Sequence, residues 1–237
     1  MIRNIIRDVV RDAVVPIEGW AGGDTAFAFE VKTAGADTFQ LPLESGGTYD
    51  FNIDWGDGSE SDITVYNHAD TNHSYAGAGT YNVVITGTIT GWKFNNHADA
   101  SLVYEISGWG NLALLPASGL TFYGCSNMTW VGSAVGGFDT ALVTRMSEMF
   151  RDCTAFNQSV SNFDTALVIN MNQMFSGCTL STVNYDALIT AFSADVQTIV
   201  ANFDGGDSKY TGGGAVATAR AAWVTKGWIL SDGGIAE

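Results

Sequence analysis

The stretch Phe138-Asp-Thr-Ala-Leu-Val-Thr-Arg-Met-Ser-Glu-Met-Phe150 recurs 25 residues later as Phe163-Asp-Thr-Ala-Leu-Val-Ile-Asn-Met-Asn-Gln-Met-Phe175. Nine of the thirteen positions are identical, so this part of the chain is a tandem repeat. A shorter motif carries the pattern further: Phe122-x-x-Cys125, Phe150-x-x-Cys153 and Phe175-x-x-Cys178, followed by Met128, Phe156 and Leu180 respectively. A 25-residue period lies in the range where each unit supplies a strand and a short helical segment. Met146, Met149 and Phe150 fall at helical spacing, and Val160 with Phe163 goes to the strand side. One such unit cannot bury its own apolar face, so units stack and equivalent residues form ladders. The three cysteines are an odd count at one repeat position, which favours a column of buried thiols over a disulfide framework.

Working outward, residues 20–95 change to period-two alternation. Phe27, Phe29 and Val31 alternate with Ala28, Glu30 and Lys32, and Tyr81, Val83 and Ile85 repeat the pattern. Glycine pairs and the Gly56-Asp57-Gly58 turn punctuate these runs, which predicts a small antiparallel β-sandwich. On the other side, Tyr185, Leu188, Ile189 and Phe192 lie on one helical face. Strand-like runs at 198–203 and 228–230 flank an alanine-rich helix that ends before Gly227. Such a terminal unit suits the sealing of an open repeat end.

Two resemblances follow from these residues. Phe51-Asn-Ile-Asp-Trp-Gly-Asp-Gly58, with His73-Ser-Tyr75 and Gly79-Thr-Tyr-Asn-Val-Val-Ile85, resembles a PKD-type immunoglobulin-like domain. That resemblance makes Trp55 and Tyr81 core and corner residues. The Phe-Asp-Thr-x-x-Val-x-x-Met-x-x-Met-Phe-x-x-Cys unit resembles the BspA-like leucine-rich-repeat surface proteins, including versions found in mycoplasma and in bacteriophages. The family often places a Trp-Gly-Asp-Gly sandwich before its repeats, and Ile106-Ser-Gly-Trp-Gly110 resembles its linking segment. Phe138 and Phe163 stand where that family usually has tryptophan.

The expected fold class is therefore mixed, β-rich α+β. It comprises an N-terminal helix (1–18), an Ig-like, PKD-like β-sandwich (19–97), a short leucine-rich-repeat solenoid (98–183) and a C-terminal capping unit (184–237). The helix rests on Ile2, Ile5, Ile6, Val9, Val10, Ala13 and Val14, an i, i+3, i+4, i+7 face stopped by Pro16. A helix this short is marginal unless a partner buries that face, so it reads as an assembly anchor.

Charge bounds the partners. Ten basic residues face 25 acidic ones, a formal net charge of −15, which repels phosphate backbones and anionic headgroups. Neither nucleic acid nor membrane insertion is expected. The first twelve residues are broken by charges and hold no apolar run of signal-peptide length, which implies synthesis in a cytosol. Asp54, Asp57, Glu60 and Asp62 lack the alternate-position ligands of a calcium loop, and His68 with His73 and Asp70 is weak as a zinc set. No cofactor, metal or catalytic residue is assigned, and the chain is read as a non-enzymatic protein. A virion surface protein of a phage, of fibre, receptor-binding or capsid decoration type, is the favoured function. Its N-terminal helix would join other virion proteins, as a homo-oligomer, after synthesis in the host cytoplasm. A secreted bacterial adhesin at the cell surface is the alternative, and a glycan-active enzyme the remote one. A host-surface glycan or protein receptor would meet the outward amides Asn157, Gln158, Asn162, Asn170, Asn172 and Gln173, which offer both donors and acceptors.

Overall fold

The computed structural model describes residues 26–135, 137–199 and 201–237. The helix expected over residues 1–18, with its Ile2 to Val14 face, lies outside the described residues.

Strand β1 (Ala26–Thr33) sits inside the main sheet because its side chains are buried on both faces along most of its length. It pairs antiparallel with β6 (Gly79–Trp92) from Ala26↔Thr86 to Thr33↔Gly79. On the far side of β6 lies β3 (Leu43–Asp54), which pairs in turn with β4 (Glu60–Ile63). On the other side of β1 come β7 (Val103–Gly108), antiparallel, and β9 (Thr129–Val135), parallel to β7. A short β8 (Leu112–Ala113) pairs with β6, which completes a seven-stranded sheet. A separate two-stranded ribbon, β2 (Asp37–Gln40) with β5 (Asn72–Tyr75), is held to the sheet by aromatic contact. Phe39 of β2 meets Phe29 of β1 at 5.9 Å, and Tyr75 of β5 stacks on Tyr81 of β6 at 4.0 Å.

This corrects the sandwich. Period-two alternation says which side of a strand is buried but not which strand lies beside it. Here β7 and β9, from beyond the expected junction at residue 97, extend the first sheet. The second layer is only a ribbon.

Beyond the sheet, backbone hydrogen bonds run between segments 24 to 29 residues apart. The Phe94 N–H donates to the Thr121 carbonyl, Phe122 to Met149, Phe150 to Met174 and Phe175 to Asp204, at 2.9–3.0 Å. Turns at Phe94, Phe122, Phe150, Phe175 and Phe203 thus lie side by side. The ring of Phe150 is 5.7 Å from Phe122 and 5.3 Å from Phe175, with interplanar angles of 18° and 12°. Cys125, Cys153 and Cys178 are fully buried beside them as free thiols. The Cys153 thiol donates to the Phe122 carbonyl and the Cys178 thiol to that of Phe150. Burial pushes the Cys125 and Cys153 thiols well above the usual range, so they stay protonated.

The leucine-rich-repeat solenoid is also corrected. Between Ser118 and Leu180 the described backbone forms turns and isolated bridges, with β9 its only extended run and no helix. The reason lies in left-handed residues. Leu120, Glu148 and Gln173 have φ of 67°, 56° and 54°, while Gly124, Asp152 and Gly177 have 88°, 57° and 78°. Glu148 separates Met146 from Met149 and Phe150, so their helical spacing cannot become a helix.

The C-terminal region supplies helix α1 (Thr182–Asp195), helix α2 (Gly214–Thr225) and a parallel pair, β10 (Ala201–Asp204) and β11 (Trp228–Ser231). Helix α1 buries Tyr185, Leu188, Ile189 and Phe192, and its last carbonyls are met from α2. The Lys226 ammonium donates to the carbonyls of Ser193, Ala194 and Val196 at 2.7–3.0 Å. Asp232 draws the region together by accepting from Arg220 and from the Tyr185 hydroxyl, both at 3.0 Å. Burial, reinforced by that carboxylate, pushes the Tyr185 phenol strongly upward.

The two copies of Phe-Asp-Thr bond to each other through Thr140. Its hydroxyl accepts from Asp164 N–H at 2.8 Å and donates to the Asp164 carbonyl at 3.1 Å. Thr165 holds the same position one unit on, where no third copy follows, and its buried hydroxyl has no hydrogen-bond partner among the described residues. Thr165→Val is therefore expected to leave stability unchanged or raise it by up to about 1 kcal/mol. Thr140→Val should cost about 1–3 kcal/mol, because it leaves the Asp164 N–H and carbonyl unmatched. Urea unfolding of the pair of variants checks the contrast, and equal losses would show that the two hydroxyls are equivalent.

Candidate binding face

Each repeat turn sends most of its apolar side chains inward and leaves most of its polar ones outside, with Leu142, Leu167 and Ile169 exposed and Thr140 and Thr165 buried. Phe138, Val143, Met146, Met149 and Phe150 are buried, as are their counterparts Phe163, Val168, Met171, Met174 and Phe175. Between them, exposed or half-buried, stand Arg145, Ser147 and Glu148 on one turn and Asn170, Asn172 and Gln173 on the next. The Met146 and Glu148 N–H groups donate to the Asn170 and Asn172 carbonyls, which sets these side chains in adjacent rows.

The structure divides the six sequence-derived amides. Asn157 is exposed but committed: its side-chain oxygen accepts from Ser181 N–H at 2.7 Å and from the Asn184 amide at 3.1 Å, at the start of α1. Gln158 accepts from Asn157 N–H, and Asn170 accepts from Asn172 N–H in a local turn. Gln173 accepts from Arg151 at 3.1 Å. Asn162 and Asn172 are exposed, and their side chains make no hydrogen bond to a described residue. Asn172 shares its turn with Asn170, which bridges to Arg145 on the adjacent turn, whereas Asn162 follows the separate Asn157–Gln158 loop.

A cluster not anticipated from sequence lies beside Gln173. Arg151 stacks over Tyr123 at 5.0 Å and donates to Glu148 at 2.8 Å. Hydrogen bonding to Glu148 raises the Arg151 guanidinium further, so it is permanently charged. Four residues from three turns meet there, and only the repeat register, read position by position, would have aligned them.

The acidic Trp-Gly-Asp-Gly turn serves packing. Trp55 is fully buried, His73 stacks on it at 4.4 Å and 9°, and Tyr75 donates to the Trp55 carbonyl at 3.0 Å. His73 Nε2 lies 2.9 Å from Asp57 Oδ2. His68 and His97 each accept through Nδ1 from the N–H two residues on, at Asp70 and Asp99, and so start short 3-10 turns. Among the described residues no group of three or more His, Cys, Asp or Glu could hold a metal ion, and no helix is long and apolar enough to cross a membrane.

The Asp57 carboxyl is raised by partial burial, but hydrogen bonds from Ser59 and His73 outweigh this and hold it below its ordinary 3.8. A depressed carboxyl contributes stability that is complete above the unfolded value and is lost as pH falls through the native one. Asp57→Asn should accordingly lower the melting temperature at neutral pH, and the difference from the unaltered chain should shrink below about pH 4. Melting curves from about pH 2 to pH 6 test this; a difference independent of pH would show that the charge contributes nothing.

With this geometry in view, comparison with known proteins bears on the repeats alone. Residues 119–204 match the family described as Mycoplasma protein of unknown function, DUF285. That span runs from the turn at Phe122 to the end of β10, less than half of the chain. It supports the BspA-like surface-protein resemblance over the repeats and does not extend to the PKD-like resemblance upstream. No curated protein and no solved structure matches the chain.

Proposed function

We propose that this chain is a non-enzymatic surface-display protein of a phage particle, of fibre, receptor-binding or capsid decoration type. The observation that carries this reading is the division of labour in the repeat turns. Their aromatic and thioether side chains are consumed by a continuous core, and their outward rows are mostly amides, hydroxyls and a few charges, broken by Leu142, Leu167 and Ile169. Rows of donors and acceptors suit a polyhydroxyl ligand such as a cell-surface glycan. Asn172 and Asn162 are the amides left uncommitted, with Asn170 and Arg145 beside Asn172. The strong negative charge keeps such a protein off nucleic acid during assembly.

Attachment falls to residues 1–18, whose sequence combines seven apolar positions with Arg3, Arg7 and Arg11. The description of the matching family names a bacterial genus, which favours a second reading, a secreted bacterial adhesin. Immunogold electron microscopy separates the two. The phage reading predicts label on the outside of purified particles, lost when the chain starts at Gly19. Label on the bacterial envelope and none on particles would replace it with the adhesin reading.

A further inference from the structure

Most basic side chains among the described residues are committed. Lys32, Lys93, Arg151 and Arg220 pair with Glu30, Glu44, Glu148 and Asp232, and Lys226 is held by carbonyls at the end of α1. Arg145 and Lys209 are exposed, and their side chains make no ion pair or hydrogen bond to a described residue. Lys209 lies in the loop after β10, whereas Arg145 stands in the outward rows of the repeats. It bridges to Asn170 on the adjacent turn, at the spacing of neighbouring strands, about 4.8 Å. Met171 is buried, so Asn170 and Asn172 face outward on either side of it. The Asn170 side-chain oxygen accepts from the Asn172 N–H at 2.9 Å, which leaves its NH2 group to meet a ligand. A guanidinium carries donors and no acceptor. Arg145 and Asn170 therefore turn N–H groups and a positive charge outward, with the uncommitted Asn172 amide beside them.

We propose that Arg145, Asn170 and Asn172 form a subsite for the carboxylate of an acidic sugar residue and a hydroxyl next to it. The inference rests on the display reading above and names the class of glycan that this face meets. A neutral polyol offers donors and acceptors alike, whereas this group of side chains is rich in donors. A carboxylate only accepts, and the planar guanidinium fork matches it with two parallel hydrogen bonds. The Asn172 amide, which both donates and accepts, serves the neighbouring hydroxyl. Charge points the same way. A chain of net charge −15 repels an anionic ligand from most of its surface, so an unpaired guanidinium marks where on the repeat rows such a ligand is drawn in.

Titration of the full chain with a set of oligosaccharides containing uronic or sialic acids tests it, each member paired with its own form after reduction of the carboxylates to alcohols. At least one acidic member should bind, and reduction should weaken it by at least about tenfold. Arg145→Gln should lose as much for the acidic form and bind the two forms alike, with an unchanged melting temperature. Arg145→Lys, which keeps the charge and loses the fork, should recover part of the loss. The proposal is overturned if no acidic member binds, if the unaltered chain binds both forms equally, or if Arg145→Gln binds as the unaltered chain does. A glutamate oligomer that competes as strongly as the acidic sugar also overturns it, since the partner is then an acidic peptide. The display reading is decided by label on particles, which these titrations do not measure, so the two fail separately.

Discussion

Phe150→Ala should destabilise the protein by about 3–5 kcal/mol, the usual cost of removing a fully buried aromatic ring. Phe150 contacts Phe122, Trp130, Phe156, Phe163 and Phe175. These neighbours belong to several turns and to β9, so they cannot collapse together into the vacancy without shifting backbone. Chemical denaturation checks the value. Because β9 belongs to the main sheet, the sheet and the repeats should lose stability together, in one transition. A loss below about 1 kcal/mol would mean that the ring does not sit in a packed core.

Gly206→Ala should be nearly as damaging. Gly206 continues the left-handed column of Gly124, Asp152 and Gly177, with φ of +63°, a conformation that costs an alanine about 1–2 kcal/mol. A Cβ there would also fall 2.3 Å from the carbonyl oxygens of Phe175 and Cys178, both backbone atoms. The clash would pull apart the Phe175–Asp204 and Asp207–Cys178 hydrogen bonds, both 3.0 Å long, which join the last repeat turn to β10 and the loop after it. The total should reach about 3–5 kcal/mol when an unmatched buried N–H or carbonyl is added. Gly58→Ala serves as the comparison: φ there is +89° but nothing lies within 4 Å of the added carbon, so only the conformational part should appear. Equal losses at the two positions would show that the contact at Gly206 is relieved without breaking the junction.

The inward residues were legible because duplication writes them twice. Phe122, Phe150, Phe175 and the cysteines beside them could be placed in one column from spacing alone, and the structure buries all of them. The local backbone was not legible. Glu148 and Gln173 adopt positive φ without being glycine, so nothing in their identity announces that the run from Met146 to Phe150 is broken. The outer turns were hidden too, because Asn96-His97 and Gly206-Asp207 stand where the inner turns have Gly-Cys or Asp-Cys. The sheet's extent depended on β7 and β9 pairing side by side, a contact across more than twenty residues that alternation does not encode. Among the site residues, Asn157 looked available until Asn184 and Ser181 were brought to it by α1. Whether an outward amide is committed depends on a distant neighbour and not on the repeat.

The claim at the centre of this account is that the uncommitted outward amides, and not the core, meet the ligand. Under the proposed display function, adsorption of the full chain to bacterial cells, compared with an Asn162→Ala, Asn172→Ala variant, tests it most directly. The account predicts an unchanged melting temperature and binding weaker by at least about tenfold, or about 1.4 kcal/mol. Undiminished adsorption by the folded variant would contradict it.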